Sequence, residues 1–585
     1  MLEAIRHESF YNAGTWVDEA AGVYVGWTAK RGSFSDGMPI CNERGDVVLV
    51  FSGEDFPEPG TAQRLRGSGH DCALEGPSYL VHSYEEDPQF FKLLNGRFHG
   101  LLVDRNQGTA TLFNDRYGLG RVYYHEDNDG LYFAAEAKAI LAVRPNLRRL
   151  SVKSLGEFIS CGCVLENRSL FDGISVLPSG SAWICSNRAV TRRETYFQPQ
   201  EWENQEQLAP EDYYQQLKDV FTRKLPQYFN GREPVGMSLT GGLDTRMIMA
   251  WEKVPPSGLP CYSFGSEFRD CQDVSVARRV AQECGQPHNV IPVGKDLFSR
   301  FPQYAERAVY YTDGCVEAGR ASDLYVNERV REIAPVRMTG NYGGEVLRRV
   351  RAFKPLAPLS GLFQPEVVQA IDEATCTYQG LIQTHPLSFA VFRQAPWHHY
   401  GLLALEETQL TVRTPFLDND FVKLVFRAPQ SAVVGNDVCL RLIADGNAGL
   451  MRIPTDRGLA GTRRGVASAV SRALLEFTFK AEYAYDYGMP QWMARVDHAI
   501  SALHPERLFL GRHKFAHYRV WYRDKLGAYL RDTLLDPKAL SRSYIDKTTI
   551  QRIVEGHLRK GQNYTSSLHK VLTLELVHRL LVDGA

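Results

Sequence analysis

The chain has 585 residues, 44% of them hydrophobic and 23% charged, with a formal net charge of −1. That length exceeds one hydrophobic core and predicts about two to four domains. The near-zero charge excludes a global field for nucleic acid or acidic membranes, and no run reaches the ~18 apolar residues of a membrane span.

Met1 to His7 lacks the apolar centre of a signal peptide. The 11 cysteines are odd in number and form no CxxC pair, which fits reduced thiols in a cytoplasmic protein. Cys161 and Cys163 lack metal-ligand spacing and read as buried free thiols. Two short arginine groups, Arg348, Arg349 and Arg351, and Arg463 with Arg464, read as solvated faces.

Residues 1–200 read as a sheet-rich α+β domain. Val23–Trp27 and Val47–Phe51 are strand-like, and Phe98–Val103 and Thr109–Phe113 flank a glycine-ended hairpin loop. Val122–Tyr124 and Leu131–Phe133 suggest a second hairpin, with short helices at 136–143 and 152–159. A polar, proline-bearing linker follows at 197–212, and Pro210 opens a helix with acids in its first turn. The rhythm then changes to strand-loop-helix: strands near 235–239, 261–264, 288–293 and 336–339 alternate with helical patterns. Such alternation predicts a parallel sheet with ligands at the strands' carboxyl ends. Three loops would meet there: 240–246, 265–273 and 340–345. From Trp397 the pattern is mainly helical, with proline-marked breaks at 413–418 and 453–461. Helical patterns then cover 518–534, 547–558 and 566–581.

The most informative stretch is Ser238-Leu239-Thr240-Gly241-Gly242-Leu243-Asp244-Thr245-Arg246. A strand, a small-residue loop and a helix start make an anion site, because the glycines admit close approach and the first helical N–H groups point outward. Thr240 and Thr245 add hydroxyl donors. Asp244 would repel a phosphate unless a divalent cation lay between them.

Together with Ser52-Gly53-Glu54, Leu94–Phe98, Asn114–Gly118, Phe133–Lys138, Ser263-Phe264-Gly265, Thr339–Glu345, Arg413–Asp418 and the helical tail, this stretch resembles the asparagine synthetase B superfamily over nearly the whole chain. The resemblance implies an N-terminal glutaminase-like sandwich of Ntn-hydrolase type over 1–200. It implies an ATP-pyrophosphatase (PP-loop, adenine-nucleotide α-hydrolase-like) synthetase domain over 208–585, with a helical tail from about 460. Thr240, Gly241, Gly242, Asp244 and Thr245 would then hold the ATP phosphates, and Leu239 and Phe264 the adenosine. Thr339 and Gly340 would lie near the nucleotide, with Mg²⁺ on Asp244. The implied chemistry is formation of an acyl-adenylate and its capture by an amine or ammonia, with release of AMP and pyrophosphate. The implied partners are a small-molecule or peptide carboxylate and that amine; a homodimer is the candidate assembly.

Three departures shape the expectation. Position 2 is leucine where such glutaminases use an N-terminal cysteine, so the first domain is expected to be inactive. At 340–345 the family pattern Gly-Glu-Gly-Ser-Asp-Glu, matched without a gap, puts Asn341 at its glutamate and Gly344 at its metal-binding aspartate. A one-residue slip instead matches the Gly-Tyr-Gly-Ser-Asp pattern of β-lactam synthetases, placing Tyr342 on their catalytic tyrosine and Glu345 on the metal-binding acid. The slip is favoured, because a loop without an acid could not share Mg²⁺ with Asp244. Last, Arg457 stands where a family lysine is expected. It could stabilise charge but is a poor proton donor. Glu406 and Glu407 read as a solvated pair or as a base for Tyr342, and Trp397–Tyr400 as packing.

The expected activity is an ATP- and Mg²⁺-dependent, AMP-forming amide ligase, with Tyr342, Glu345 and Arg457 as catalytic residues and Asp244 and Glu345 as metal ligands. A catalytically dead scaffold or nucleotide-binding partner is one alternative; an ammonia-dependent asparagine synthetase is another.

Overall fold

A computed structural model describes residues 1–70, 76–459, 466–508 and 510–584; Arg463 and Arg464 lie outside them. In the first half, the strands are β1 (Tyr11–Asp18), β2 (Val23–Lys30), β3 (Ile40–Cys41), β4 (Val47–Asp55), β5 (Gly96–Asp104), β6 (Thr109–Asn114), β7 (Tyr123–Asp127), β8 (Gly130–Ala134), β9 (Ser175–Val176), β10 (Ser181–Ser186) and β11 (Ala189–Thr195). Six of them form an antiparallel sheet in the order β11-β10-β6-β5-β4-β3, beside two small sheets, β1-β2 and β8-β7-β9.

Side chains alternate across a strand, so each face of the large sheet can be read from its sequence. In β5, Leu101 and Val103 join Leu112, Trp183 and Val25 in a small core under β2. Phe98 and Leu102 point the other way and join Phe51 and Phe113 in the main core. Because both faces are apolar there, central strands β5 and β6 are largely buried on both sides, whereas edge strand β11 is mostly exposed.

The second half holds β12 (Val235–Ser238), β13 (Cys261–Gly265), β14 (His288–Pro292), β15 (Val336–Met338) and β16 (Thr411–Arg413), all parallel, in the order β14-β13-β12-β15-β16. From β12 the chain runs outward to β14, then returns to β15 on the other side. This reversal makes a switch point between β12 and β15, where a crevice opens at the strands' carboxyl ends. Crossover helices cover the sheet; in Gln272–Glu283, Val274, Ala277, Val280 and Ala281 form the buried stripe. The mainly helical reading from Trp397 missed β16, which ends on Arg413, the first residue of the proline-marked break at 413–418. Three residues carry no legible period, and pairing with β15 makes them a strand. The pattern at 518–534 is two helices, Tyr518–Asp524 and Gly527–Leu534, rather than one.

The halves are fastened by residues of the family-like motifs. Arg413 donates to both oxygens of Glu54, at 2.6 Å through Nη2 and 2.9 Å through Nε, and to the Tyr228 and Asn230 carbonyls. Asn95 Nδ2 donates to Asp418 at 2.7 Å and Asn95 Oδ1 accepts from the Asn419 N–H at 2.9 Å. The linker is not a free tether: Trp202 is buried among Phe197, Phe392 and Phe426. Cys161 and Cys163 are buried and free, as read from their spacing, and burial pushes the Cys161 thiol up to about 11. Among the described residues no helix is long and apolar enough to cross a membrane.

Candidate active site

The loops after β12, β13 and β15 converge at the switch point. The Gly241 N–H donates to Asp273 Oδ1 at 2.8 Å, joining the first loop to the helix that follows β13. The loop after β15 packs so closely on the helix Asp244–Trp251 that a Cβ on Gly340 would lie 2.6 Å from the Thr245 nitrogen. One on Gly343 would lie 2.8 Å from Asp244 Cγ. Glycine at both positions is therefore a condition of the site's closeness. The Thr240 and Thr245 hydroxyls stand 3.4 Å apart, and the Gly242 N–H donates to Thr240 Oγ1 at 3.3 Å. Leu239 is buried and its carbonyl accepts from Ser263 Oγ at 2.8 Å, while Phe264 packs against Phe515. Thr339 is buried and anchored by its N–H to the Arg413 carbonyl at 3.0 Å.

Asp244 opens its helix, where the dipole favours an acid. Both its oxygens accept from Arg348 Nη2, each at 2.9 Å. Burial, opposed by Arg348 and reinforced by Glu345, raises the Asp244 carboxyl to about 6. Glu345 lies beside it, 3.4 Å from His399 Nε2; burial raises its carboxyl, but His399, its own backbone N–H and Arg348 together hold it below the usual range. Arg348 is thus not a solvated arginine. Three residues beyond Glu345, it points from the same short helix, Gly343–Arg348, into the crevice.

The backbone bears on the register of 340–345. Tyr342, not Gly343, takes the left-handed conformation (φ 70°), and Gly343 opens the helix. A Cβ on Gly344 would lie 3.6 Å from Asp244 Oδ2 and 2.9 Å from Arg348 Nη2. Both observations favour the ungapped match, with Tyr342 where that pattern has glycine and the arginine filling the space over Gly344. Tyr342 is buried, and burial pushes its phenol up. Its ring meets His399 edge-on, with centroids 5.5 Å apart. His399 ends a wide helical turn, Ala390–His399, interrupted by Pro396, while its neighbour His398 stacks on Phe353. Glu406 and Glu407 are not a solvated pair: Glu406 pairs with Arg337 at 3.0 Å, and Glu407 with Lys30 at 3.0 Å and with Arg97.

On the other side of the loop, Thr240, Gly242, Asp273, Asp456, Arg457 and Phe479 line a cavity of about 270 Å³. Arg457 lies over the Phe479 ring, 4.3 Å from its centroid, and more than half of its side chain is exposed. It reaches the cavity but stands across the loop from Tyr342 and Glu345. Asp273 was not legible as a site residue. Burial, with Asp456 nearby, raises its carboxyl to about 6. Arg246, wholly buried, donates to the Gly241, Leu450 and Pro454 carbonyls and ties this loop to the break at 453–454. The sequence signals were proximity alone: Asp273 in the second loop, Arg348 three residues from Glu345, and Arg246 within the motif.

A second cavity, of about 210 Å³, lies between the halves and is lined by Ser52, Arg97, His99, Glu136, Tyr311 and Tyr400, among others. None of its lining residues is a cysteine.

Residues 1–197 match the glutamine amidotransferase domain family and residues 216–367 match the asparagine synthase family. Glutamine-hydrolysing asparagine synthetase 1 of Bacillus subtilis is 23% identical over 49% of this chain and 45% of its own length. A probable glutamine-hydrolysing asparagine synthetase of Acanthamoeba polyphaga mimivirus is 19% identical over 60% of this chain and 63% of its own. The amidase chry2 of Gibberella zeae is 22% identical over 51% and 47%. The chain thus spans about half the length of the first of these relatives and less than two thirds of the others.

Proposed function

Because the chain belongs to the asparagine synthetase family, we propose that it is an ATP-dependent, AMP-forming amide ligase. It would adenylate a small-molecule or peptide carboxylate and transfer the acyl group to an amine or ammonia. The observation that carries this reading is the convergence of the loops after β12, β13 and β15 on Asp244, with Glu345 alongside.

In this reading Thr240, Gly241, Gly242 and Thr245 receive the phosphates, while Leu239, Phe264, Thr339 and Gly340 bound the nucleotide's remaining portion. The donor set suits Mg²⁺, since two carboxylates whose charges oppose each other's ionisation gain from a shared cation. Asp244 and Glu345 would hold it, and it would spread charge on the departing pyrophosphate. Arg348 supplies that positive charge to Asp244 in the structure described, and it must yield one oxygen for a cation to bind. Arg457 at the mouth of the phosphate cavity would add charge stabilisation without proton transfer. Tyr342 and His399 would orient Glu345 and bound the acceptor side.

The first half is proposed as an Ntn-like scaffold without glutaminase activity. Its cavity offers serines and a histidine but no thiol. ATP–pyrophosphate exchange across a carboxylate panel, with and without Mg²⁺, tests the ligase reading; no exchange and no ATP binding would refute it. The rival reading, a nucleotide-binding scaffold without catalysis, is favoured by the occupation of both Asp244 oxygens by Arg348. ATP binding without exchange on any carboxylate would select it. Exchange on aspartate with ammonia as acceptor would select an ammonia-dependent asparagine synthetase.

A further inference from the structure

Away from the crevice, one end of the first half gathers two histidines and a glutamate. His82 and Glu85 stand three residues apart on the helix Tyr79–Glu86 and so share one face. His70 follows the helix Thr61–Gly67, and its backbone N–H donates to the Leu65 carbonyl at 3.0 Å, which fixes where its ring emerges. One donor atom from each of the three lies within 4.8 Å of the others. Glu85 Oε2 is 3.0 Å from His82 Nδ1 and 3.7 Å from His70 Nδ1. Donors held at about 2.0–2.1 Å around a tetrahedral ion stand about 3.4 Å apart, between these two distances.

The surroundings hold the donors in place. Buried Asn42 donates to Glu85 Oε1 at 2.8 Å, leaving Oε2 for the histidines. Asn42 is itself locked by accepting the Asp46 and Val47 N–H groups at 3.1 Å. On the far side of the His82 ring, Glu43 Oε1 lies 3.6 Å from Nε2. A carboxylate behind a ligating imidazole, and a hydrogen bond behind a ligating carboxylate, are the usual supports of a metal site.

We propose that His70, His82 and Glu85 form a Zn²⁺ site that fastens the end of the helix Thr61–Gly67 to the helix Tyr79–Glu86. Through Asn42 and Glu43 the site also reaches the β3–β4 turn. Two imidazole nitrogens and one carboxylate suit a borderline ion such as zinc, whereas Mg²⁺ and Ca²⁺ take oxygen donors. A solvent molecule completes the coordination.

The test uses the full chain, stripped with chelator and titrated with Zn²⁺ alone by calorimetry, with Co²⁺ absorption reporting ligand geometry. An Asp244→Asn background keeps the crevice acids out of the measurement. One equivalent of tight zinc, a Co²⁺ spectrum of low coordination number and a zinc-dependent rise in melting temperature are expected. Asn42→Ala should weaken zinc by about 10-fold, and His82→Ala and Glu85→Gln by more than the ~100-fold upper range of an outer-shell loss. If either of those fails to fold, half-buried His70→Gln decides by the same criterion. No zinc bound by the parent chain, or affinity unchanged in the folded variants, would overturn the site and leave a hydrogen-bonded histidine–carboxylate cluster.

Discussion

Arg348 Nη2 sits 2.9 Å from each carboxylate oxygen of Asp244, so a guanidinium engages both oxygens of the residue proposed to hold a cation. Removing it leaves Asp244 facing Glu345 without compensation. Arg348→Ala is expected to cost about 2 kcal/mol of stability in chelator. Mg²⁺ with ATP should restore more of that stability in the variant than in the parent. Thermal melts with and without Mg²⁺-ATP measure this, and an equal ligand-induced shift in both proteins would disprove the competition.

Acid should affect catalysis and stability in opposite directions. The Asp244 carboxyl, raised from its ordinary 3.8 to about 6, must be ionised to hold a cation. Exchange at subsaturating Mg²⁺ is therefore expected to fall as pH drops through about 6. Because the folded value lies above the unfolded one, the stability linked to this proton is fully present below 3.8 and is lost as pH rises through about 6. Asp273 shares the window. Asp244→Asn should abolish exchange at every pH and shrink the acid-side gain in melting temperature; an unchanged gain would remove Asp244 from the account.

Gly343→Ala separates closeness from chemistry. Its Cβ would meet Asp244 Cγ at 2.8 Å, so the two loops must part. A loss of at least about 10-fold in ATP affinity is expected, the equivalent of 1.4 kcal/mol. Stability should change by no more than the 1–3 kcal/mol of an ordinary overpacking. Binding calorimetry and urea melts decide, and undiminished affinity would show that the loops need not touch.

The clamp between the halves gives a stability prediction. Arg413 and Glu54 are both largely buried, and breaking a buried pair costs about 3–5 kcal/mol. Arg413→Ala should lose that much. Glu54→Gln, which retains one acceptor oxygen, should lose less. Chemical denaturation of the variants should show the halves unfolding in two steps, and a single unshifted transition would argue against the clamp.

Glutamine is expected to yield no glutamate. The cavity between the halves has no thiol in its lining. Coupled detection of glutamate, with an ammonium-supported reaction as positive control, measures this; glutaminase turnover would contradict it.

The parallel sheet and its converging loops were legible because alternating apolar strands and amphipathic helices carry strong periods, and glycine pairs mark the turns. β16 was not, since three residues show no period and depend on a neighbouring strand 75 residues earlier in register, as when Arg413 pairs with Met338 across the sheet. Within the site, Asp244 announced itself by standing in a glycine loop. Arg348 and Asp273 did not, because a charged residue near a helix end reads the same whether it faces solvent or a buried partner. Glu406 and Glu407 show the same limit: adjacent acids look solvated until Arg337, Arg97 and Lys30 arrive from distant segments.

Tyr342 holds a backbone conformation that glycine adopts freely and that costs a bulky residue roughly 1–2 kcal/mol. Drift towards stability alone would replace it. Substitution therefore separates two quantities: Tyr342→Gly relaxes the main chain and deletes the ring, whereas Tyr342→Phe keeps the strain and deletes only the hydroxyl. A position whose stability and activity respond to different atoms gives protein engineers an unusually clean handle on this crevice.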